Sequence, residues 1–433
     1  MSSDSDRATI AALHRRAGFG LGPGELDSRA AEGVAATIER LVDPDGHGVA
    51  AAGDPWASVT LTPPARPGAN ASTAEKAAAR KQQRTEGEAA IGAWLDHMTT
   101  TPRPLESWLT WFWHGMLVSG LDKVKAPSLM VQQLRTYHDL AFAPFPQLLR
   151  AATVDPAMLV YLDGRESTGA SPNENYGREV MELFALGVGQ YSEDDVKAAA
   201  RALTGWRIDP ANLTSRVVPK QHDDTPQTLL GASVHDVDSV ISAVTGHPAC
   251  GPWVAGRMAK AILGPGVDAG LVHDAGVQYA ASGFDTRGLL RTLLQAAADG
   301  HGAGGVWAPV PWLAAARRAT GAAPASGVVL RQLRAGGQVP MLPPNVSGWP
   351  SGSAWFTSST VVARCDLAAA VAAAAAADNP ALAAAQKHDA AALADALGRP
   401  EGFTTTTASA IAAAGSDRAS LAVALASPDH TLL

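Results

Sequence analysis

Apolar residues recur three and four positions apart over most of this chain, usually with alanines between them, while segments that alternate apolar and polar residues are few and short. That pattern predicts a mainly α protein, a multi-helix globular array with long irregular loops and at most a small hairpin. A long polar helix is expected from about Ser72 to Thr99, preceded by a Pro-, Gly- and Thr-rich loop over 54–72. Residues 207–236 hold Pro, Asp and Thr clusters without helical period and read as a loop or hairpin. On this reading they connect an N-terminal helical half, 1–206, to a C-terminal half, 237–433, the two making one compact unit. From about Asp366 onward alanine dominates, with scattered Asp and Leu, as suits peripheral helices whose small side chains allow close packing.

The densest polar run is Ser171-Pro172-Asn173-Glu174-Asn175-Tyr176-Gly177-Arg178-Glu179-Val180-Met181-Glu182. Ser171 and Glu174 match a capping box, which puts Pro172 at the first helical position. At helical spacing Glu174, Asn175, Arg178, Glu179 and Glu182 share about 140° of arc, and Tyr176, Val180 and Met181 take the remainder. Two accounts fit that face. It can be solvated, with Glu174, Arg178 and Glu182 forming an i,i+4 ion-pair ladder. Or it can line a cleft in which Arg178 holds one carboxylate ionised while crowding raises the pKa of another, the usual route to an acid and a base in one site. Spacing alone leaves both open.

A second run, Pro104 to Met116, places Leu105, Trp108, Leu109, Phe112 and Met116 at helical spacing, the mark of a buried helix. It also carries Glu106 and His114, about 80° apart around the axis and two turns distant. An imidazole there is either a satisfied core group or a base or metal ligand. A third run, Pro343 to Trp355, has too many prolines for a helix and glycines enough for tight turns, so it reads as a shaped loop. Its Trp349 either plugs the core or walls a pocket.

Composition narrows the function classes. A formal charge of −7 and a pI near 5.9 give no footing for a polyphosphate backbone, so nucleic acid is not expected as a partner. Cys250 and Cys365 match no ligand spacing and are expected to stay unpaired. The first ten residues lack the basic start and apolar middle of a secretory signal, and no stretch is long and apolar enough to span a bilayer, which together suggest a cytoplasmic location. There is no phosphate loop, no Gly-x-Gly-x-x-Gly after a strand, no flavin motif, no serine elbow, and no His-Glu-x-x-His or Glu-x-x-His pattern. A divalent metal is neither required nor ruled out by this inventory.

Taken in order, these blocks resemble the bacterial family known as domain of unknown function 1800. The resemblance starts at Leu13-His14-Arg15-Arg16-Ala17-Gly18-Phe19-Gly20 and continues through Pro104-Leu105-Glu106, Phe112-Trp113-His114, and Asp155-Pro156 with Tyr161-Leu162-Asp163. It is tightest over Asn173 to Gly189 and Leu203-Thr204-Gly205-Trp206, and closes at Pro343-Pro344-Asn345-Val346, Gly348-Trp349-Pro350, Trp355 and Arg364. Met116 stands where family members commonly carry a second histidine. The resemblance implies a helical fold and no settled activity; it also implies a partner protein, a sulfatase-like neighbour. On the residues, an acid–base or metal-assisted hydrolytic site is expected between the helix of Glu106 and His114 and the helix of Asn173 to Glu182. Glu179 would be base or metal ligand, Glu182 the second carboxylate, Arg178 the charge that fixes both and His114 a proton shuttle. Asn173, Asn175, Trp206, Asn345 and Trp349 would touch substrate. The competing expectation is a non-catalytic scaffold for the sulfatase-like neighbour.

Overall fold

The computed structural model describes residues 4–64, 71–302 and 304–433. Helices make up 62% of the chain, and the strands among the described residues form two antiparallel pairs. Both pairs lie in the stretch between the halves: Trp206–Asp209 with Thr214–Val217, and Gln227–Leu229 with Ala232–Val234. The expected hairpin is therefore two hairpins. The Asp209 carboxylate shapes the first turn by accepting from the amides of Ala211 and Asn212, and the Asp195 carboxylate ties the second to the helix Glu193–Ala202 by accepting from Leu230 N at 2.7 Å.

Local signals place most helix starts. Ser72 caps the helix Thr73–Thr100 in a reciprocal box with Glu75. Proline opens the helices Pro104–Met116, Pro127–Asp139, Pro156–Tyr161 and Pro309–Thr320, where its missing N–H leaves no intrahelical bond unmade. The loop expected over 54–72 is irregular over 54–64, and its centre, 65–70, lies outside the described residues. One contiguous cluster of buried side chains runs from Leu13 to Leu425, with Trp56, Trp94, Trp113 and Trp312 fully enclosed. The alanine-rich end packs as expected: Ala368, Ala372, Ala381, Ala385 and Ala424 are buried with essentially no exposed surface.

The central polar block departs from its expected form. Its helix runs Glu174–Glu179, with Asn173 as the N-cap accepting from Asn175 N at 2.9 Å. Ser171 instead sits in a short bridge with Thr168, so the Ser171/Glu174 capping box and a helix opening at Pro172 are corrected. Two cap-competent side chains, Ser171 and Asn173, stand two positions apart, and the one nearer the first helical turn prevails. The block then widens into a π-helical turn, Val180–Ala185, whose Leu186 N reaches back five residues to Met181 O. A π turn advances each residue by less than 100°, which rotates Glu182 away from the face that α-helical counting assigned it.

Candidate functional site

A cavity of about 640 Å³ opens mainly among five stretches of chain that are far apart in sequence, with Gln338 and Leu433 completing its lining. The end of the helix Asp4–Arg16 supplies Arg15 and Arg16, and the helix Pro104–Met116 supplies Trp108, Trp111, Phe112 and Met116. The helix Cys250–Leu263 presents Trp253, Gly256, Arg257 and Lys260, a spacing of three and four that puts them on one face. Trp307 and Pro311 enter from the start of the helix Pro309–Thr320, and the loop from Ser347 to Trp355 covers the space with Trp349 and Trp355. Six of the chain's eleven tryptophans line this one cavity. Its volume lies in the range typical of small-molecule sites, roughly 300–1,000 Å³.

The wall is held by ring packing and a few exact hydrogen bonds. Trp349 stacks on Trp111 with centroids 4.8 Å apart, and Trp108 stacks on Phe112 at 5.6 Å and nearly parallel. Trp307 donates its indole N–H to Arg15 O at 3.0 Å. Trp253 donates to Leu183 O at 3.1 Å, a carbonyl at the C-terminal end of the central block that the helix itself leaves unbonded. Gly187 passes so close to the Trp253 ring that a Cβ there would lie 2.7 Å from its Cε3. The central block thus touches the cavity from behind, through its backbone.

His114 lies beneath this wall. It is fully buried, its ring meets Trp94, Trp111 and Trp349 edge-on, and its Nε2 accepts from Met341 N at 3.2 Å. Burial drives its pKa down to about 3, so the ring is neutral throughout the physiological range. That bond fixes the tautomer, with the proton on Nδ1, and joins the tryptophan helix to the segment leading into the covering loop. Asn345 shapes the same loop: its Oδ1 accepts from Ser347 N at 2.9 Å, and its side chain is exposed and outside the cavity lining.

The remaining expected residues fall in two other places. Glu106 is mostly buried beside His138, 3.8 Å away on the helix Pro127–Asp139, and Arg103 at 3.9 Å. Burial raises its pKa, with His138 and Arg103 pulling the other way. Its imidazole neighbour is therefore His138, a residue the one-helix reading did not consider. On the central block, Arg178 forms a two-pronged pair with exposed Glu193 at 2.7 and 2.8 Å and sits 3.6 Å from Glu174. The expected Glu174–Arg178–Glu182 ladder stops at its first rung, because the π turn carries Glu182 to the Tyr191 hydroxyl at 2.5 Å. Glu179 is half-buried with no hydrogen bond or ion pair among the described residues, and its pKa is raised by burial and then by Glu182, with Arg178 offsetting part. Asn173 and Trp206 meet Tyr176 around a void of about 20 Å³, room for about one water. Asn175 is exposed.

Among the described residues no three His, Cys, Asp or Glu side chains converge as a metal site would require, and no helix is long and apolar enough to cross a membrane. Both cysteines are unpaired. Residues 12–432 match the family described as Protein of unknown function (DUF1800). The chain belongs to that family. No curated protein and no solved structure matches it. Within this DUF1800 chain, Arg15, Arg16, Trp108, Trp111, Trp253 and Trp349 come together only through folding. The available sequence signal was Trp253-x-x-x-Arg257-x-x-Lys260, one face of a single helix.

Proposed function

We propose that this protein binds a small organic molecule with flat faces in the tryptophan-walled cavity, and that this binding is its primary biochemical activity. The observation that carries the reading is the convergence of six tryptophans on one space of small-molecule size. A concave wall of indoles suits stacking against an aromatic ring or the apolar face of a sugar. Titration with the neutral dye N-phenyl-1-naphthylamine, followed by energy transfer from tryptophan, tests it. The native protein should bind saturably, and Trp349→Ala and Trp253→Ala should each weaken binding by about tenfold or more while circular dichroism stays unchanged. Binding that neither substitution alters would place the dye elsewhere and defeat the reading.

A second reading keeps acid–base chemistry at the central block, favoured by Glu179, a half-buried carboxyl with raised pKa beside Glu182. It makes a separable prediction. A carboxyl whose pKa is raised on folding holds its proton more tightly in the native state, so the native protein loses stability as pH rises through that pKa. Glu179→Gln should therefore melt at or above the native temperature at pH 8, with the difference closing toward pH 4, and should abolish hydrolysis of p-nitrophenyl esters or phosphates by the native protein. A lower melting temperature at pH 8 would show that the carboxylate belongs to a structural charge network.

A further inference from the structure

We infer that the molecule held in the tryptophan cavity is an organic anion: a flat body lying against the indoles and an acidic group, sulfate, phosphate or carboxylate, held by the Arg257–Lys260 side. The inference rests on the cavity reading above and adds the charge of the ligand to it.

The chain as a whole is acidic, yet the side chains lining the cavity include Arg15, Arg16, Arg257 and Lys260 and no aspartate or glutamate. Two of these cations have work within the protein. Arg15 pairs with Glu401 at 2.8 Å. Arg16 donates to Ile262 O at 3.0 Å, at the C-terminal end of the helix Cys250–Leu263, where a cation suits the free carbonyls and the helix dipole. Arg257 and Lys260 have none: among the described residues neither makes an ion pair or a side-chain hydrogen bond. Arg257 is only partly exposed, and burial lowers its pKa with no carboxylate to offset it. A guanidinium kept partly out of water without a partner costs free energy, and that cost is recovered when an anion arrives. Its planar fork matches two oxygens of such a group, and Lys260, one turn further on, adds a mobile charge. Trp253, one turn before Arg257 on the same face, lies where it can contact the body of a molecule whose acidic group those cations hold.

Two dyes that share one frame test this. 8-Anilinonaphthalene-1-sulfonate is N-phenyl-1-naphthylamine with a sulfonate added, so the difference in their affinities reads the contribution of the charge. The native protein should bind the sulfonate at least about tenfold more tightly than the neutral dye, a preference that shrinks as salt is raised. The double variant Arg257→Gln/Lys260→Gln should lose that preference, its affinity for the sulfonate falling to that for the neutral dye. Arg331→Gln, which removes an exposed charge on the helix Ser326–Ala335, should keep it. Should the double variant fold poorly, Lys260→Gln alone, at an exposed side chain, carries the comparison and should lose part of the preference. Equal affinities in the native protein, or a preference that survives the substitutions, would overturn the anion inference and leave the cavity reading standing. Failure of both dyes to bind, or binding untouched by Trp349→Ala and by Trp253→Ala, would overturn both.

Discussion

Gly348→Ala should destabilise the protein by about 2–5 kcal/mol and abolish dye binding in the cavity. Gly348 immediately precedes Trp349 and has φ of +80°, a conformation that costs an L side chain roughly 1–2 kcal/mol. Its added Cβ would lie 2.3 Å from the carbonyl oxygen of Gly115, near the end of the tryptophan helix. Neither partner can yield by a side-chain rotation, because the obstacle is backbone, so the loop must lift or the helix end must fray. Lifting the loop removes Trp349 from Trp111 and from the edge of His114, which uncovers the cavity. Denaturant unfolding and dye titration on the same variant read the two consequences together. Native stability with native binding would mean that the loop is not seated on Gly115 in solution.

The same contact shows what the sequence made legible. That Pro343 to Trp355 forms a shaped loop follows from its prolines and glycines, and that Pro104 to Met116 forms a buried helix follows from its apolar period. That Gly348 meets Gly115 follows from neither, since the two are joined by more than two hundred residues and nothing in either segment encodes the other. The cavity is of that kind throughout. Its cations come from two helices and its indoles from four segments; the Trp108 helix and the Trp349 loop were legible each in its own segment, but their meeting with the Trp253, Arg257, Lys260 face was not.

The central block failed in a more instructive way. Its polar density was real, but a 100° count presumes an α-helix, and the π turn at Val180–Ala185 breaks the count between Glu179 and Glu182. Arg178 accordingly turns to Glu193 and Glu182 to Tyr191, partners supplied by the following turn and helix. Glu106 met His138 in place of His114 for a related reason: residues two turns apart on one helix are separated by about 12 Å of rise, whereas a packed neighbouring helix brings its side chains within contact distance. Dense polar motifs of this kind report where a chain is constrained, and here the constraint includes an architectural one, the seating of Trp253 on Leu183 O and against Gly187.

The second large effect lies in the core and depends on pH. Asp155 caps the helix Pro156–Tyr161 and is almost completely buried; its Oδ1 accepts from Gln133 Nε2 at 2.7 Å, Ala157 N at 2.8 Å and Met158 N at 3.0 Å. Burial pushes its pKa up to about 7 from an ordinary 3.8, against the pull of those three donors. Because the raised pKa belongs to the folded state, the associated stability is fully present below pH 3.8 and is lost as pH rises through about 7. The gap between the two values is worth about 4 kcal/mol across that window. Asp155→Asn keeps an oxygen in the acceptor position and cannot ionise, so its unfolding free energy should lack this slope, and native and variant should diverge between pH 4 and pH 8 with the variant ahead at the alkaline end. Asp155→Ala cannot ionise either and should share that flat profile, lying about 2–4 kcal/mol below Asp155→Asn at every pH, because it removes a cap and leaves the buried Gln133 amide with only Ser119 Oγ, 3.1 Å away, to receive its protons. Guanidinium unfolding at four pH values separates the two, and parallel profiles for the native protein and Asp155→Asn would show that the three donors outweigh burial and keep the carboxylate ionised in the folded state.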